Sequence, residues 1–145
     1  MKVNGTHYRT IWLSDDGWSV EIIDQTRLPY DFKVIRLTSL DDAASAIRDM
    51  KVRGAPLIGA TAAYGVCLAL RNDESDGSLD RAVDALSATR PTAVNLQWAL
   101  AEMVEAVSEL APGDRVAGAY LRAARICDDD VEICRRIGEY GLEVF

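Results

Sequence analysis

The sequence predicts an α+β fold that is mainly helical, with N-terminal short antiparallel strands followed by a helical bundle. Three observations predict it. Before residue 38, β-branched and aromatic residues gather in short runs separated by turn residues. After Leu37 the apolar residues recur at helical spacing. From Pro56 onward one helical segment is apolar nearly all round, as a central helix enclosed by others must be. The domain boundaries that follow are a strand region over residues 1–37 and a helical region over 38–145 of the same domain.

Taken in order, Tyr8 to Leu13 and Trp18 to Gln25 read as the two arms of a hairpin with Asp15-Asp16-Gly17 as its turn. Phe32 to Leu37 alternates and adds a third strand. Ser39 followed by Asp42 resembles a capping arrangement, after which Leu40, Ala43, Ala44, Ile47 and Met50 share one helical face. The central helix spans Pro56 to about Arg71, and Gly59, Ala60, Ala62, Ala63 and Gly65 leave little side chain between it and its neighbours.

Asn72 to Ser78 reads as a polar loop, and Leu79, Ala82, Val83 and Leu86 as a short amphipathic helix. Thr92 to Leu110 is the next helix, with Leu96, Leu100, Met103, Val107 and Leu110 on one face, stopped by Ala111-Pro112-Gly113. A last long helix begins at Asp114, with an interruption expected near Asp128. Its stripe of Val131, Cys134, Ile137, Gly138, Gly141, Leu142 and Phe145 runs to the last residue without a cap, so it is expected to continue or to pack against something further.

A length of 145 residues is one domain, large enough to bury a core. A hydrophobic content of 49% with 27% charged residues is that of a globular protein in water. The net charge of −7 argues against generic nucleic-acid binding, which needs a basic stripe. Asp73-Glu74-Ser75-Asp76 and Asp128-Asp129-Asp130 read as solvated surface. No segment has the long apolar run of a membrane span, and the N-terminus lacks a charged-then-apolar signal pattern, so a cytoplasmic location is expected.

The three cysteines, Cys67, Cys127 and Cys134, match no zinc or redox spacing and read as small buried hydrophobes. His7, the single histidine, has no nucleophile partner by motif. Trp12, Trp18, Trp98 and Tyr64 read as core or domain-contact residues, and Asp24 and Gln25 as shaping the turn into Leu28-Pro29.

The chemistry-bearing motif is Met50-Lys51-Val52-Arg53-Gly54-Ala55-Pro56-Leu57-Ile58-Gly59-Ala60. It sets an arginine and two small residues before a proline that can open a helix. Unpaired N–H groups at a helix start, with the positive end of its dipole, attract phosphate. Arg53 adds a planar fork suited to two phosphate oxygens, and Gly54 lets the backbone come close. A second motif of the same kind is Arg90-Pro91-Thr92-Ala93-Val94-Asn95-Leu96, with Thr92 as the expected N-cap and Arg90 just upstream. Arginines before helices also form ordinary surface pairs with acidic residues. Two such arginines at two helix starts suit a phosphorylated metabolite better than either alone.

The stretch from Ile47 to Gly65 resembles the signature of the methylthioribose-1-phosphate isomerase family, and Arg90 to Leu96 resembles that family's second N-terminal motif. Trp12 and Ile23-Asp24-Gln25-Thr26-Arg27-Leu28-Pro29 fit its opening pattern. The resemblance implies an N-terminal, mainly helical domain followed by a Rossmann-like domain, absent here, so that this chain covers less than half of the family's usual length. The catalytic cysteine and aspartate of the family belong to that second domain, so no catalytic residue is expected within this chain, which alone would be inactive.

What the resemblance implies further is isomerisation of 5-methylthioribose 1-phosphate to 5-methylthioribulose 1-phosphate in methionine salvage. The site residues carried over are Arg53, Gly54, Ala55 and Arg90, binding the substrate phosphate. No metal and no cofactor are implied; the partners are a small-molecule sugar phosphate and a second copy in a homodimer, with no nucleic acid and no membrane. Hydrogen passes between C2 and C1 either as a proton through an enolate or as a hydride. Two rivals share the superfamily fold: ribose-1,5-bisphosphate isomerases, and non-catalytic regulatory subunits like those of translation initiation factor 2B. Pro56 and the Arg90-Pro91-Thr92 run fit the methylthioribose branch better.

Overall fold

The computed structural model describes residues 2–144. Phe145, the last member of the terminal stripe, lies outside the described residues. The chain opens with a small ribbon, β1 (Lys2–Val3) against β2 (Thr6–His7), turned by Asn4 and Gly5 with φ of 49° and 84°. Two positive φ values in an Asn-Gly pair make the turn whose twist matches a tight hairpin. This ribbon precedes Tyr8, where the first strand is expected from sequence, and Asn4-Gly5 is its local signal.

The hairpin and third strand are present but shorter than expected: β3 (Ile11–Leu13), β4 (Val20–Ile23) and β5 (Val34–Leu37) form one antiparallel sheet in that order. The connection after β3 is longer than a tight turn because Asp16 gathers it. Its carboxylate accepts from the N–H groups of Trp18 and Ser19 at 2.9 and 2.8 Å and from the Ser19 hydroxyl at 2.6 Å. Register puts Trp12, Glu21 and Arg36 side by side across the three strands. Glu21 joins them, accepting from Trp12 Nε1 at 2.8 Å and from Arg36 at 3.2 Å. The opposite face puts Ile11, Val20, Ile22 and Leu37 into the core.

Five helices follow. Helix α1 (Leu40–Arg48) starts at Ser39, whose hydroxyl accepts from the Asp42 N–H at 3.1 Å. Met50, expected on this helix, lies beyond it with φ of 58°, because the chain leaves α1 through a left-handed residue so that Val52 can bury completely. Helix α2 (Ala55–Leu70) is the centre of the domain: every residue from Leu57 to Leu70 is buried, and α2 packs against all four other helices.

Helix α3 (Asp76–Ser87) begins earlier than the expected Leu79, since Ser75 caps it by accepting from the Ser78 N–H at 3.2 Å. Helix α4 (Val94–Ser108) begins later than expected, and Thr92 is not its N-cap. Pro91 presets the second position of a turn closed by the Ala93 N–H donating to the Arg90 carbonyl at 3.0 Å, so the chain completes that turn before the helix starts.

Helix α5 (Pro112–Leu142) is continuous; no break occurs at Asp128. Pro112 serves as a helix start rather than only as a stop. Three aspartates cost only a few tenths of a kcal/mol each in helix propensity, about the scale that packing of Ala119, Ala123 and Ile126 overrides. The cysteine expectation is corrected in part: Cys67 is buried, Cys127 half-buried, and Cys134 exposed. Past Cys127 the helix leaves the bundle, so a residue there meets water whatever its type. No helix among the described residues is long and apolar enough to cross a membrane.

Candidate functional site

The segment from Asp49 to Gly54 joins α1 to the central helix and is held from both sides. Val52 donates its N–H to the Ala46 carbonyl at 3.3 Å and buries its side chain. From the other side, the Gln25 N–H donates to the Lys51 carbonyl at 2.9 Å, and Arg53 Nη2 donates to the Gln25 carbonyl at 3.3 Å. The turn at residues 24–31 thus fixes the backbone that precedes α2. That turn is itself set by Asp24, whose carboxylate accepts from the N–H and hydroxyl of Thr26 at 3.0 and 2.6 Å. Sequence spacing pointed to Asp24 and Gln25 as turn residues, but their link to the Arg53 loop is tertiary.

Gly54 is the N-cap of α2, with φ of 94° and ψ of 134°. Only glycine adopts that backbone without strain. The first turn of α2 has neither a side-chain cap nor an acidic residue. With Pro56 lacking an N–H, the donors of Ala55 and Leu57 are the unpaired ones at its positive end. The start of α4 is alike: Ala93 supplies no side-chain cap and the first turn carries no acid. Arg90 stands half-buried just before it. Among the described residues neither Arg53 nor Arg90 forms an ion pair with a carboxylate, so the ordinary surface-pair explanation does not account for either.

The two helix starts lie against each other. A Cβ placed on Gly59 would come within 2.8 Å of the Asn95 carbonyl, so the second turn of α2 touches the first turn of α4. Pro56 and Asn95 share the wall of a cavity of about 250 Å³ with Trp98, Ile126 and Ile133. A second cavity of about 260 Å³ also has Pro56 in its wall, with Leu57, Ala60, Ile11, Cys127 and Val131 among others. Arg53, Gly54, Ala55 and Arg90 line neither cavity; they stand at the outer end of the helix pair. Sequence reasoning missed Asn95 and Trp98 as cavity residues, and their one legible signal was their place just after the Arg90 motif.

Two of the three thiols, Cys67 and Cys127, are held back from nucleophilic chemistry by their surroundings. Burial pushes the Cys127 thiol up to about 11 and the Cys67 thiol well above its ordinary range, so both stay protonated near neutral pH. Tyr64, as expected, is core; its ring lies 6.3 Å from that of Tyr120, and burial raises its phenol above the ordinary value. Tyr120 donates to the Trp18 carbonyl at 2.6 Å, while Arg71 sits 4.2 Å over the Trp18 ring, and these contacts tie the sheet to the helices.

With this geometry in place, comparison with known proteins gives a consistent answer. The chain is 59% identical over 144 residues to methylthioribose-1-phosphate isomerase of Rhodospirillum centenum, covering 99% of this chain and 38% of that protein. Among solved structures, 5-methylthioribose 1-phosphate isomerase from Pyrococcus horikoshii matches with a TM-score of 0.84 at 39% identity, over 94% of this chain and 40% of that one. Subunit delta of the translation initiation factor eIF-2B from A. fulgidus matches with a TM-score of 0.87 at 35% identity, over 96% of this chain and 42% of that one. The chain therefore spans about 40% of the length of the relatives it matches. Residues 51–145, which include the first motif from Lys51 onward, the whole of the second, and helices α2 to α5, match the Initiation factor 2 subunit family, and the chain belongs to that family.

Proposed function

We propose that this chain supplies the phosphate-positioning domain of an aldose-ketose isomerase that converts 5-methylthioribose 1-phosphate into 5-methylthioribulose 1-phosphate. The observation that carries this is the start of α2: Gly54 at φ of 94°, an uncapped first turn, and an adjacent arginine that no carboxylate holds. It stands in a chain 59% identical to a protein of that name. Fold alone does not discriminate, because the isomerase and the initiation-factor subunit superpose almost equally well, at TM-scores of 0.84 and 0.87. Identity at the residue level favours the isomerase.

A phosphate on C1 locks the sugar as a ring, so ring opening requires a proton donor at the ring oxygen in a site that excludes water. In this proposal that donor, and the group that moves hydrogen between C2 and C1, belong to the remaining part of a protein of the relatives' length. Arg53, Gly54, Ala55 and Arg90 hold the phosphate and so orient the ring, which contributes to rate as well as affinity. The partners are the sugar phosphate and a second copy of the full-length protein, and the compartment is the cytoplasm, where phosphorylated sugars are kept.

The test is kinetic. In the full-length protein carrying this segment, Arg53→Ala is expected to weaken binding of 5-methylthioribose 1-phosphate by about 1.5–3 kcal/mol, the scale of a charge-assisted hydrogen bond. Unchanged affinity would remove Arg53 from the site, and absence of isomerisation by the unaltered protein would overturn the assignment as a whole.

A further inference from the structure

We infer that Asp24, with Thr26, is a positioning residue for the phosphate grip, acting on the substrate through the Gln25 carbonyl and the Arg53 guanidinium. This rests on the placement of the substrate phosphate at Arg53, Gly54 and Ala55. An arginine that binds an anion must be aimed without being neutralised. A carboxylate partner would aim it and also compete with the phosphate for it. A backbone carbonyl accepts one N–H and leaves the net charge and the other donors of the fork to the phosphate oxygens. Arg53 has that arrangement, since its Nη2 donates to the carbonyl of Gln25 at 3.3 Å.

The direction of that carbonyl is set by Asp24. One oxygen of its carboxylate, Oδ1, accepts from both the N–H and the hydroxyl of Thr26, at 3.0 and 2.6 Å, closing a turn with Gln25 at its centre. The Gln25 carbonyl and the Thr26 N–H belong to one planar peptide unit and point opposite ways. Holding the Thr26 N–H toward Asp24 therefore holds the Gln25 carbonyl toward Arg53. The approach to the turn is fixed as well, because Asp24 donates its N–H to the Lys33 carbonyl and Gln25 donates its own to the Lys51 carbonyl, both at 2.9 Å. Asp16 and Asp73 close turns of the same kind from exposed positions, accepting from the N–H of Trp18 and of Ser75. Asp24, by contrast, is 6% exposed, and among the described residues it is the one buried acidic side chain. Burying a carboxylate is costly, and the turn that carries it is the one that reaches the phosphate grip.

The experiment is a double-mutant cycle in the full-length protein carrying this segment, reading KM for 5-methylthioribose 1-phosphate and inhibition by inorganic phosphate. Asp24→Ala should raise KM and weaken phosphate inhibition, each by about tenfold, the scale of losing a hydrogen bond to a charged group. Asp24→Asn should restore most of both, because its amide oxygen accepts the same two hydrogen bonds. Thr26→Ala, at an exposed position where the fold tolerates truncation, should have an effect of about threefold, and Thr26→Ser, which keeps the hydroxyl, none. In an Arg53→Ala background, Asp24→Ala and Thr26→Ala should have no further effect, since the group through which they act is gone. Effects that multiply with that of Arg53→Ala, or an Asn variant as impaired as the Ala variant, would make Asp24 a structural residue only and leave the phosphate site standing. If Asp24→Ala does not fold, the Thr26 pair decides by the same cycle, and equal KM for Thr26→Ala and Thr26→Ser overturns the positioning role. If Arg53→Ala changes neither KM nor phosphate inhibition, the phosphate placement fails and the positioning role fails with it.

Discussion

Asp42 sits in the first turn of α1, where its carboxylate accepts from the N–H and hydroxyl of Thr38 at 2.8 and 3.0 Å. Partial burial alone would raise its pKa, but hydrogen bonds from Thr38 and Ser39 outweigh that and hold it below the ordinary 3.8. Asp16 is lowered chiefly by the Ser19 hydroxyl, and Asp73 chiefly by the Ser75 N–H. A carboxylate whose pKa is depressed by folding contributes stability at neutral pH, and this is lost as pH falls from the unfolded value through the folded one. Urea unfolding should therefore be nearly flat from about pH 7 to 5 and weaken below about pH 4. Asp42→Asn should cost about 0.3–1 kcal/mol at neutral pH, the screened scale of a partly exposed acid in a helix's first turn, and flatten the acid limb; an unaltered acid limb would count against this role. Ser39 and Asp42 were legible because a cap is a local pattern. The left-handed Met50 was not, since methionine has no preference for that backbone and the burial of Val52 imposes it.

At the scale of elements, the stripe of small residues on α2 makes a prediction of unusual sign. In an isolated helix Gly→Ala stabilises by up to about 1 kcal/mol. At Gly59 the added methyl would meet the Asn95 carbonyl at 2.8 Å and Ala99 Cβ at 3.3 Å, both on α4. Gly59→Ala should therefore destabilise by about 1–3 kcal/mol, seen as a fall in Tm, because α4 must move away from α2. A rise in Tm would show that the helices can separate freely. The small residues were read from sequence as a close-packing surface, but the partner helix was not, since periodicity says nothing about which neighbour fills a face. The start of α4 was misjudged for a similar reason: Thr92 is a good cap by type, and Pro91 commits the chain to a turn first.

For the whole molecule, the outer part of α5 is the feature that the fold leaves unresolved by its own packing. Ile133, Ile137, Tyr140 and Leu142 are exposed at 55, 65, 61 and 78%, beyond the point where the helix leaves the bundle. Apolar side chains at that exposure favour association. The chain by itself should self-associate as its concentration rises, and Ile137→Glu should shift it toward monomer in sedimentation; a monomer at all concentrations would remove that face as an association surface. What the sequence by itself determined is local and compositional: the strand-to-helix order, the all-apolar central helix, the cap at Ser39, and the Arg53-Gly54-Ala55-Pro56 helix start. These follow from periodicity, turn chemistry and residue type, which act over a few neighbouring positions. Only the tertiary structure decided that the turn at Gln25 clasps the Arg53 loop, that the starts of α2 and α4 lie against each other, and that an apolar cavity adjoins the first of them. Those depend on contacts between segments far apart in the chain, whose partners are chosen by the packing of complementary surfaces rather than by any local preference.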